Sequence, residues 1–255
     1  MNKLLVLCYH AISPSWEAGL SVTPEAFERQ IVGLRKRGYA GTTFADVVER
    51  EPSEPTVVVT FDDAFQSVKT YAAPILHDAG YPATVFAPTD YVSARSPLAW
   101  PGLDHWLRTP DGHELASMGW EDLGELMEDG WEIGSHSRRH PMLSSLDDDT
   151  LMAELAESRQ TCGARLGRPA TTIAYPYGDT DARVQRHAEH AGYSGAAALE
   201  WQTATLDRFR FPRVGIYHKD TWARFRLKVG PLTEYAYATK LLAKRSLNLE
   251  PPAGV

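Results

Sequence analysis

The chain has 255 residues, 43% of them hydrophobic and 23% charged, and a formal net charge of −7, which fits one large globular domain. The negative charge excludes a general nucleic-acid-binding protein, because phosphate backbones attract clustered Lys and Arg. Only two cysteines occur, Cys8 and Cys162. They exclude a disulfide framework and a cysteine-type zinc site, and we expect both thiols to be free.

The N-terminal apolar run, Leu4 to Tyr9, predicts a buried strand. It is shorter than the roughly 7–15 apolar residues of a signal peptide, and no small-residue cleavage site follows it. No window of the sequence approaches the ~18 apolar residues of a membrane span. We therefore expect a cytoplasmic protein without a transmembrane segment. Peripheral membrane association is the alternative, because Lys240, Lys244 and Arg245 lie in the C-terminal segment.

Strand-like and helix-like segments alternate after the first strand. A helix is predicted to begin at Thr23 and Pro24, a capping residue followed by proline, and to end at Gly38. A later helix is predicted to begin near Ser145 or Asp147. Further strands are predicted at 55–61, 81–88, 131–136, 170–178 and 193–199, and further helices at 67–80, 120–130 and 181–192.

This alternation predicts an α/β fold, in which a mostly parallel sheet with helices outside closes into a (β/α) barrel. We predict a single barrel domain over residues 1–220 with an insertion at about 90–118, followed by a C-terminal helix and tail at 221–255. Such barrels place functional side chains at the C-terminal ends of their strands. The residues that follow predicted strands are His10, Asp62, Asp63, His136, Pro176 and Tyr177.

Two of these segments have the composition of a metal site. His136 and His140 stand four apart, and on a helix or tight turn this spacing points both rings the same way. Two histidines and one carboxylate are a common ligand set for a catalytic divalent ion. Taken alone, however, two histidines at this spacing could be an ordinary surface pair.

The carboxylate would come from the adjacent Asp62 and Asp63, which point in different directions at a strand end. One can bind the ion while the other faces an attacking water. Two carboxylates at the end of a buried strand repel each other and lose hydration, and a divalent cation removes that penalty. The alternative is a helix N-cap beside a solvated charge.

The motifs "TFDD", "HSRRH" and "YPYG", in this order after strand-like runs, resemble the polysaccharide deacetylases with NodB homology, carbohydrate esterase family four. The resemblance covers about Leu4 to Ile216. It implies a distorted (β/α) barrel and metal-dependent removal of N- or O-acetyl groups from sugars. By position, it also implies that the general base is Asp62, that the metal ligands are Asp63, His136 and His140, and that Pro176 and Tyr177 form the groove wall, with the Tyr177 N–H holding the oxyanion.

The sequence departs from the family pattern at two places. Ala174 occupies the position of an arginine that normally pairs with the base, and the late Leu-x-His motif that carries the general acid is absent. "LCYHAIS" resembles a rearranged subgroup that deacetylates poly-N-acetylglucosamine, which implies His10 as general acid; His218 is the alternative. Arg213 could replace the missing arginine or be an ordinary surface or salt-bridge arginine.

We therefore predict a hydrolase of carbon–nitrogen bonds that removes N-acetyl groups, or O-acetyl groups, from an amino sugar or polysaccharide. Its cofactor would be one divalent ion, Zn²⁺ first, with Co²⁺, Ni²⁺ and Mn²⁺ as alternatives. Tyr175, Pro176 and Trp201 are predicted to contact the carbohydrate. The competing functions are an amidohydrolase or deformylase acting on a nucleotide- or lipid-linked sugar, and a carbohydrate-binding barrel that has lost catalysis. The sequence leaves the oligomeric state open.

Overall fold

The sheet is parallel throughout, in the computed structural model that describes residues 4–199 and 207–230. A separate parallel pair is formed by β2 (Ala11–Ile12) and β3 (Ser21–Val22). The strands of the main sheet are β1 (Leu4–Tyr9), β4 (Ala40–Thr42), β5 (Thr56–Phe61), β6 (Thr84–Ala87), β7 (Glu132–Ser135), β8 (Thr172–Ala174), β9 (Gly195–Ala197) and β10 (Val214–Gly215). Their order is β10-β1-β5-β6-β7-β8-β9, and β4 also pairs with β5.

Helices connect these strands. One π-helical turn at Val68–Ala72 runs directly into the α-helix that begins at Ala73. Short 3-10 helices lie at Asp104–Arg108, Pro110–Leu115, Leu143–Ser145 and Pro176–Gly178. The α-helices are α1 (Pro24–Lys36), α2 (Phe44–Glu49), α3 (Ala73–Ala79), α4 (Thr89–Ala94), α5 (Trp120–Glu128), α6 (Asp148–Leu166), α7 (Ala182–His190) and α8 (Trp222–Lys228).

The segment that ends in β10 links the two sides of the curled sheet. Phe211 bridges to Ala197 at the end of β9, and β10 pairs with β1. Arg213 lies between these two pairings. The sheet therefore forms a distorted (β/α) barrel, and the predicted fold class is confirmed. The sequence did not predict β2, β3, β4, β10, α2 or α4, all of which are short.

The two faces of β5 pack into different apolar clusters. Val57 and Phe61 belong to the largest cluster, whereas Val58 packs with Phe44 and Phe86 in a smaller one. All six residues of the strand are buried, as expected for a parallel strand covered on both sides. Alternation places Asp62 on the same face as Val58, at the end of the barrel where the strands terminate.

Parts of the predicted domain plan lie outside the described residues. Helix α8 packs against α1, where the Arg29 guanidinium lies over the Trp222 ring. The basic residues Lys240, Lys244 and Arg245 and the predicted terminal helix fall beyond residue 230. In the part of the chain that the structure describes, no helix combines the length and apolar character needed to cross a membrane.

A buried carboxylate fixes the beginning of β7, the strand that leads to His136. Glu132 accepts hydrogen bonds from Thr84 on β6 at 2.9 Å, from the Ala45 backbone N–H on α2 at 2.7 Å, and from Thr172 on β8. Three neighbouring elements are thus tied to one side chain. Removing it would leave three buried donors without an acceptor, which costs more than the bonds themselves contribute.

We expect Glu132→Ala to lower the free energy of unfolding by about 3 kcal/mol, since its donors become unsatisfied in the interior. Urea unfolding followed by circular dichroism measures the change. Glu128→Ala, at an exposed position at the end of α5, is the control and should change stability by less than about 0.5 kcal/mol. Equal stability of the two variants would contradict the role of Glu132.

Candidate active site

Three side chains from separate parts of the chain converge at the C-terminal end of the barrel. Asp63 follows β5, His136 follows β7, and His140 lies in the loop after it. The Asp63 Oδ1 atom is 3.3 Å from the Nε2 atoms of both histidines. The ligand atoms of all three residues lie within 4.8 Å of one another, and all three residues are buried. The structure therefore brings together the three predicted metal ligands.

Two of these residues, and the nearby Tyr177, have an unusual backbone conformation. Asp63, His140 and Tyr177 have φ values of 73°, 61° and 60°, in the left-handed region that residues with a Cβ seldom adopt. Such conformations cluster at functional sites, where the surrounding structure compensates their cost. At Asp63 the positive φ turns the chain out of the strand. Asp62 remains on the strand face that it shares with Val58, whereas Asp63 lies against the two histidines.

The three residues fit a divalent metal ion. Asp63 Oδ1 is buried and has no hydrogen-bond partner among the described residues, so an acceptor is left unused in the interior. Although burial opposes its ionisation, contacts with His136 and His140 hold the pKa of Asp63 well below its usual value. An ionised carboxylate with two imidazole nitrogens is a common donor set for zinc and similar ions.

The second aspartate is paired differently. Arg213 donates from Nη1 to Asp62 Oδ1 at 2.6 Å and from Nη2 to Oδ2 at 2.8 Å. The guanidinium also donates to the Thr60 hydroxyl at 3.0 Å and to the Ala198 carbonyl at 3.3 Å. Arg213 is 1% exposed, so it is not a surface residue. Arg213 thus pairs with Asp62 from the closing segment, whereas Ala174 offers no charged group.

This pairing keeps Asp62 ionised. Burial raises the pKa of its carboxyl, but the charges of Arg213, His136 and His10 and the hydrogen bonds from Arg213 together lower it to about 2. Asp62 is therefore a hydrogen-bond acceptor at neutral pH. The cation beside it is held inside the barrel and remains charged, because Asp62 and other partners raise the Arg213 pKa despite its burial.

His10 lies beside this pair. It follows β1, and one of its ring nitrogens lies within 4.8 Å of both the Cys8 Sγ atom and an Asp62 oxygen. The Cys8 thiol itself donates to Asp62 Oδ2 at 3.4 Å. By contrast, His218 is exposed, and its backbone N–H donates to the Gly19 carbonyl. The structure thus brings His10, not His218, to the aspartate.

The predicted carbohydrate-contacting residues are placed unequally. Tyr177 is 43% exposed, and its ring meets the His140 ring edge-on, with centroids 4.5 Å apart. Pro176 is buried. Tyr175 is fully buried and its hydroxyl donates to the Phe209 carbonyl at 2.9 Å, so we correct its placement in the groove: this ring belongs to the core. Trp201 lies outside the described residues.

Sequence analysis did not predict the contacts of Cys8 and Trp100 with the site. Cys8 shares the inner face of β1 with His10, so strand alternation combined with the β1–β5 pairing could have placed it beside Asp62. Trp100 comes from the predicted insertion and stacks on His140. No local pattern in the irregular 90–118 segment indicated that contact.

Residues 49–196 match the sequence model of polysaccharide deacetylases. The chain belongs to the polysaccharide deacetylase family. Enzymes of this family are hydrolases that act on acetylated carbohydrate, which confirms the predicted enzyme class. The chain is 27% identical to YxkH of Bacillus subtilis (strain 168), a protein that also carries the name polysaccharide deacetylase. The alignment covers 90% of this chain and 72% of YxkH.

The fold of the deacetylase is similar to that of solved structures. PplD, a deacetylase of Streptococcus pyogenes determined with acetate, aligns with a TM-score of 0.75 at 21% identity, over 90% of this chain and 99% of PplD. IcaB from Ammonifex degensii aligns with a TM-score of 0.70 at 23% identity, over 88% of this chain and 95% of IcaB. At these identities the likeness shows the shared fold.

We expect Arg213→Met to lower the free energy of unfolding of the deacetylase by about 3–5 kcal/mol, because it leaves the buried charge of Asp62 without a partner. The double variant Asp62→Asn/Arg213→Met removes both charges and should be more stable than Arg213→Met alone. Urea unfolding of the two single variants and the double variant gives the coupling free energy. Additive losses would contradict a strong pairing.

Proposed function

We propose that the protein is a metal-dependent deacetylase that hydrolyses N-acetyl groups on amino sugars of a polysaccharide or oligosaccharide. The observation that carries the proposal is the convergence of Asp63, His136 and His140 beside a second, separately neutralised carboxylate. Hydrolysis of an amide needs an activated water, a base to take its proton and an acid for the leaving amine. The described residues offer a candidate for each role.

Asp63, His136 and His140 would hold the ion, with Zn²⁺ first and Co²⁺, Ni²⁺ or Mn²⁺ as alternatives. A divalent ion held there would lower the pKa of a bound water and polarise the acetyl carbonyl. Its ligands are already oriented in part, because His136 Nδ1 lies 2.8 Å from the Ala174 carbonyl oxygen. Because a carbonyl oxygen only accepts, Nδ1 carries the proton in this contact. Nε2, which lies 3.3 Å from Asp63 Oδ1, then has its lone pair free to bind the ion.

Asp62 would accept the proton of the attacking water. Its carboxylate lies near enough to His136 for the charge of each to shift the pKa of the other, and it is not part of the cluster of Asp63, His136 and His140. Arg213 holds both carboxylate oxygens. Against the effect of burial, Arg213 together with His136 and His10 lowers the pKa of Asp62 to about 2, so that the group stays ionised. The same contacts fix the orientation of the carboxylate, which makes its position independent of bound substrate.

The tetrahedral adduct would be stabilised by the backbone N–H of Tyr177. Tyr177 follows β8 with a left-handed backbone, φ 60°, and its ring contacts the ring of His140. A preorganised backbone donor costs no reorganisation when charge develops on the acetyl oxygen. The exposed Tyr177 ring, next to the same histidine, is then a candidate contact for the sugar.

His10 would donate a proton to the departing amine as the carbon–nitrogen bond breaks and acetate forms. An amide nitrogen leaves poorly as an anion, so this proton transfer is needed for an N-acetyl substrate. His10 lies beside Asp62 and is half-buried, and its Nδ1 atom has no hydrogen-bond partner in the described ranges 4–199 and 207–230. That buried nitrogen is thus not held by another group of the described protein.

The proposal is tested by acetate release and metal content measured on the same samples. We expect acetate from N-acetylglucosamine oligomers, no acetate after chelation and dialysis, and recovery when Zn²⁺ or Co²⁺ is returned. Free N-acetylglucosamine and a nucleotide-linked N-acetyl sugar in the same panel separate a polymer substrate from a small one. Sugar binding without acetate release under each of the four ions would instead favour a carbohydrate-binding barrel.

Variants at the paired aspartates should lose activity for different reasons. We expect Asp63→Asn to lose both bound metal and activity, because it removes an anionic ligand. Asp62→Asn should retain the metal yet lower kcat by about 10²–10⁴-fold, the range for loss of a general base. Elemental analysis and acetate assays, on samples whose folding is verified by circular dichroism, measure both effects. Full activity of Asp62→Asn would exclude it as the base.

The assignment of the general acid predicts a dependence on the leaving group. His10→Ala should lower kcat/KM by about 10²–10⁴-fold on an N-acetyl sugar. On 4-nitrophenyl acetate the loss should be far smaller, since nitrophenolate leaves without a proton. His218→Ala, at the exposed alternative position, is the matched control and should keep activity on both substrates. The reverse pattern would assign the acid to His218.

A further inference from the structure

The two histidines of the proposed metal site are held in different ways. His136 has the outer contact expected of a ligand, since its Nδ1 lies 2.8 Å from the Ala174 carbonyl oxygen. The Nδ1 atom of His140 is buried and has no hydrogen-bond partner within the described residues. Metal-binding histidines almost always donate their second N–H to an oxygen, which fixes the tautomer and the ring orientation. Something else must therefore orient His140.

An indole ring lies against the face of that imidazole. The ring centroids of Trp100 and His140 are 3.9 Å apart and the ring planes differ by 15°, so the rings are stacked. Tyr177 meets the same imidazole edge-on from another direction. The ring of His140 is thus confined by two aromatic neighbours, and the closer one is part of the segment between α4 and α5.

Trp100 is itself firmly held. It is 7% exposed and packs edge-on against Tyr91, with ring centroids 5.1 Å apart. The Tyr91 hydroxyl donates to the Ala99 carbonyl at 2.9 Å, and the Trp100 carbonyl accepts from the backbone N–H groups of Leu103 and Asp104. The indole therefore has a fixed position from which it can orient a neighbour.

We propose that Trp100 is a positioning residue for the metal site, and that its aromatic face replaces the missing hydrogen bond of His140 in holding the ion. The inference rests on the proposed function. An imidazole that binds a cation is more electron-poor than a free one, so an electron-rich indole face attracts it more strongly in the metal-bound state. Trp100 then contributes to metal affinity as well as to packing.

A role in packing alone makes a different prediction. Trp100 belongs to the large apolar cluster, so its truncation will also lower the stability of the metal-free protein. Trp106 lies in the same segment and packs against Trp16, with ring centroids 5.5 Å apart. Substitution of Trp106 disturbs the segment but removes no ring from His140, which makes it the matched control.

The experiment uses the full chain and the metals Zn²⁺ and Co²⁺ as probes. Metal-free Trp100→Leu, Trp100→Phe and Trp106→Leu are titrated with Zn²⁺ in competition with a chromophoric chelator. We expect Trp100→Leu to bind Zn²⁺ about 10–100-fold more weakly, the range for loss of an outer contact of a ligand. Trp100→Phe keeps an aromatic face and should recover most of the affinity, and Trp106→Leu should match the unmodified protein.

The Co²⁺ absorption spectrum provides a second readout that stability does not move. Trp100→Leu should shift its visible bands, because a freer His140 changes the ligand geometry, while Trp106→Leu should leave them in place. Melting of the metal-free proteins verifies folding. If Trp100→Leu does not fold, Trp100→Met, whose unbranched side chain adapts better to the gap, replaces it in the same titrations.

Unchanged Zn²⁺ affinity and Co²⁺ bands in the Trp100 variants would overturn the inference, as would an equal loss in Trp106→Leu. A different result would overturn the proposed function: an unmodified protein that binds neither ion at the Asp63 site. The two failures are distinguished by that measurement on the unmodified protein.

Discussion

Two adjacent carboxylates are buried at the end of β5, with Asp62 1% and Asp63 3% exposed. Placing two negative charges side by side away from water is strongly unfavourable unless each is neutralised. Asp62 receives the guanidinium of Arg213, and Asp63 faces two imidazoles that together suit a divalent ion. The side chains at this end of the barrel therefore include a cation for Asp62 and two imidazoles for Asp63.

The two ways of neutralisation divide the chemistry. Arg213 is a permanent cation that is also fixed by hydrogen bonds to Ala198 and Thr60 inside the barrel. Its contacts keep Asp62 ionised and oriented. Within the part of the chain that the structure describes, Asp63 keeps an oxygen without a hydrogen-bond partner. One carboxylate is thus prepared to accept a proton and the other to bind a cation, although the two residues are neighbours with the same side chain. Environment, not residue type, separates their proposed roles.

The barrel closure and the proposed reaction centre depend on the same segment. The chain from Phe211 to Gly215 pairs with β9 at one end and β1 at the other, and it carries Arg213 between them. The partner of Asp62 therefore reaches its place only when the sheet is complete. The segment between α4 and α5 contributes in a similar way from outside, because Trp100 covers one face of His140.

Local patterns in the sequence determined the alternation of strands and helices, the parallel sheet, and the positions of the aspartates and of His136 at strand ends. These features depend on neighbours along the chain, and the motif order identified the family. The sequence did not show whether Arg213 is a surface residue or the partner of Asp62. It also did not show that Tyr175 belongs to the core. Both placements depend on which strands become neighbours when the sheet closes. The stacking of Trp100 on His140 depends on an irregular segment whose sequence has no periodicity. Contacts between residues far apart in sequence exist only in the folded barrel, because side-chain burial and charge pairing are properties of the packed chain.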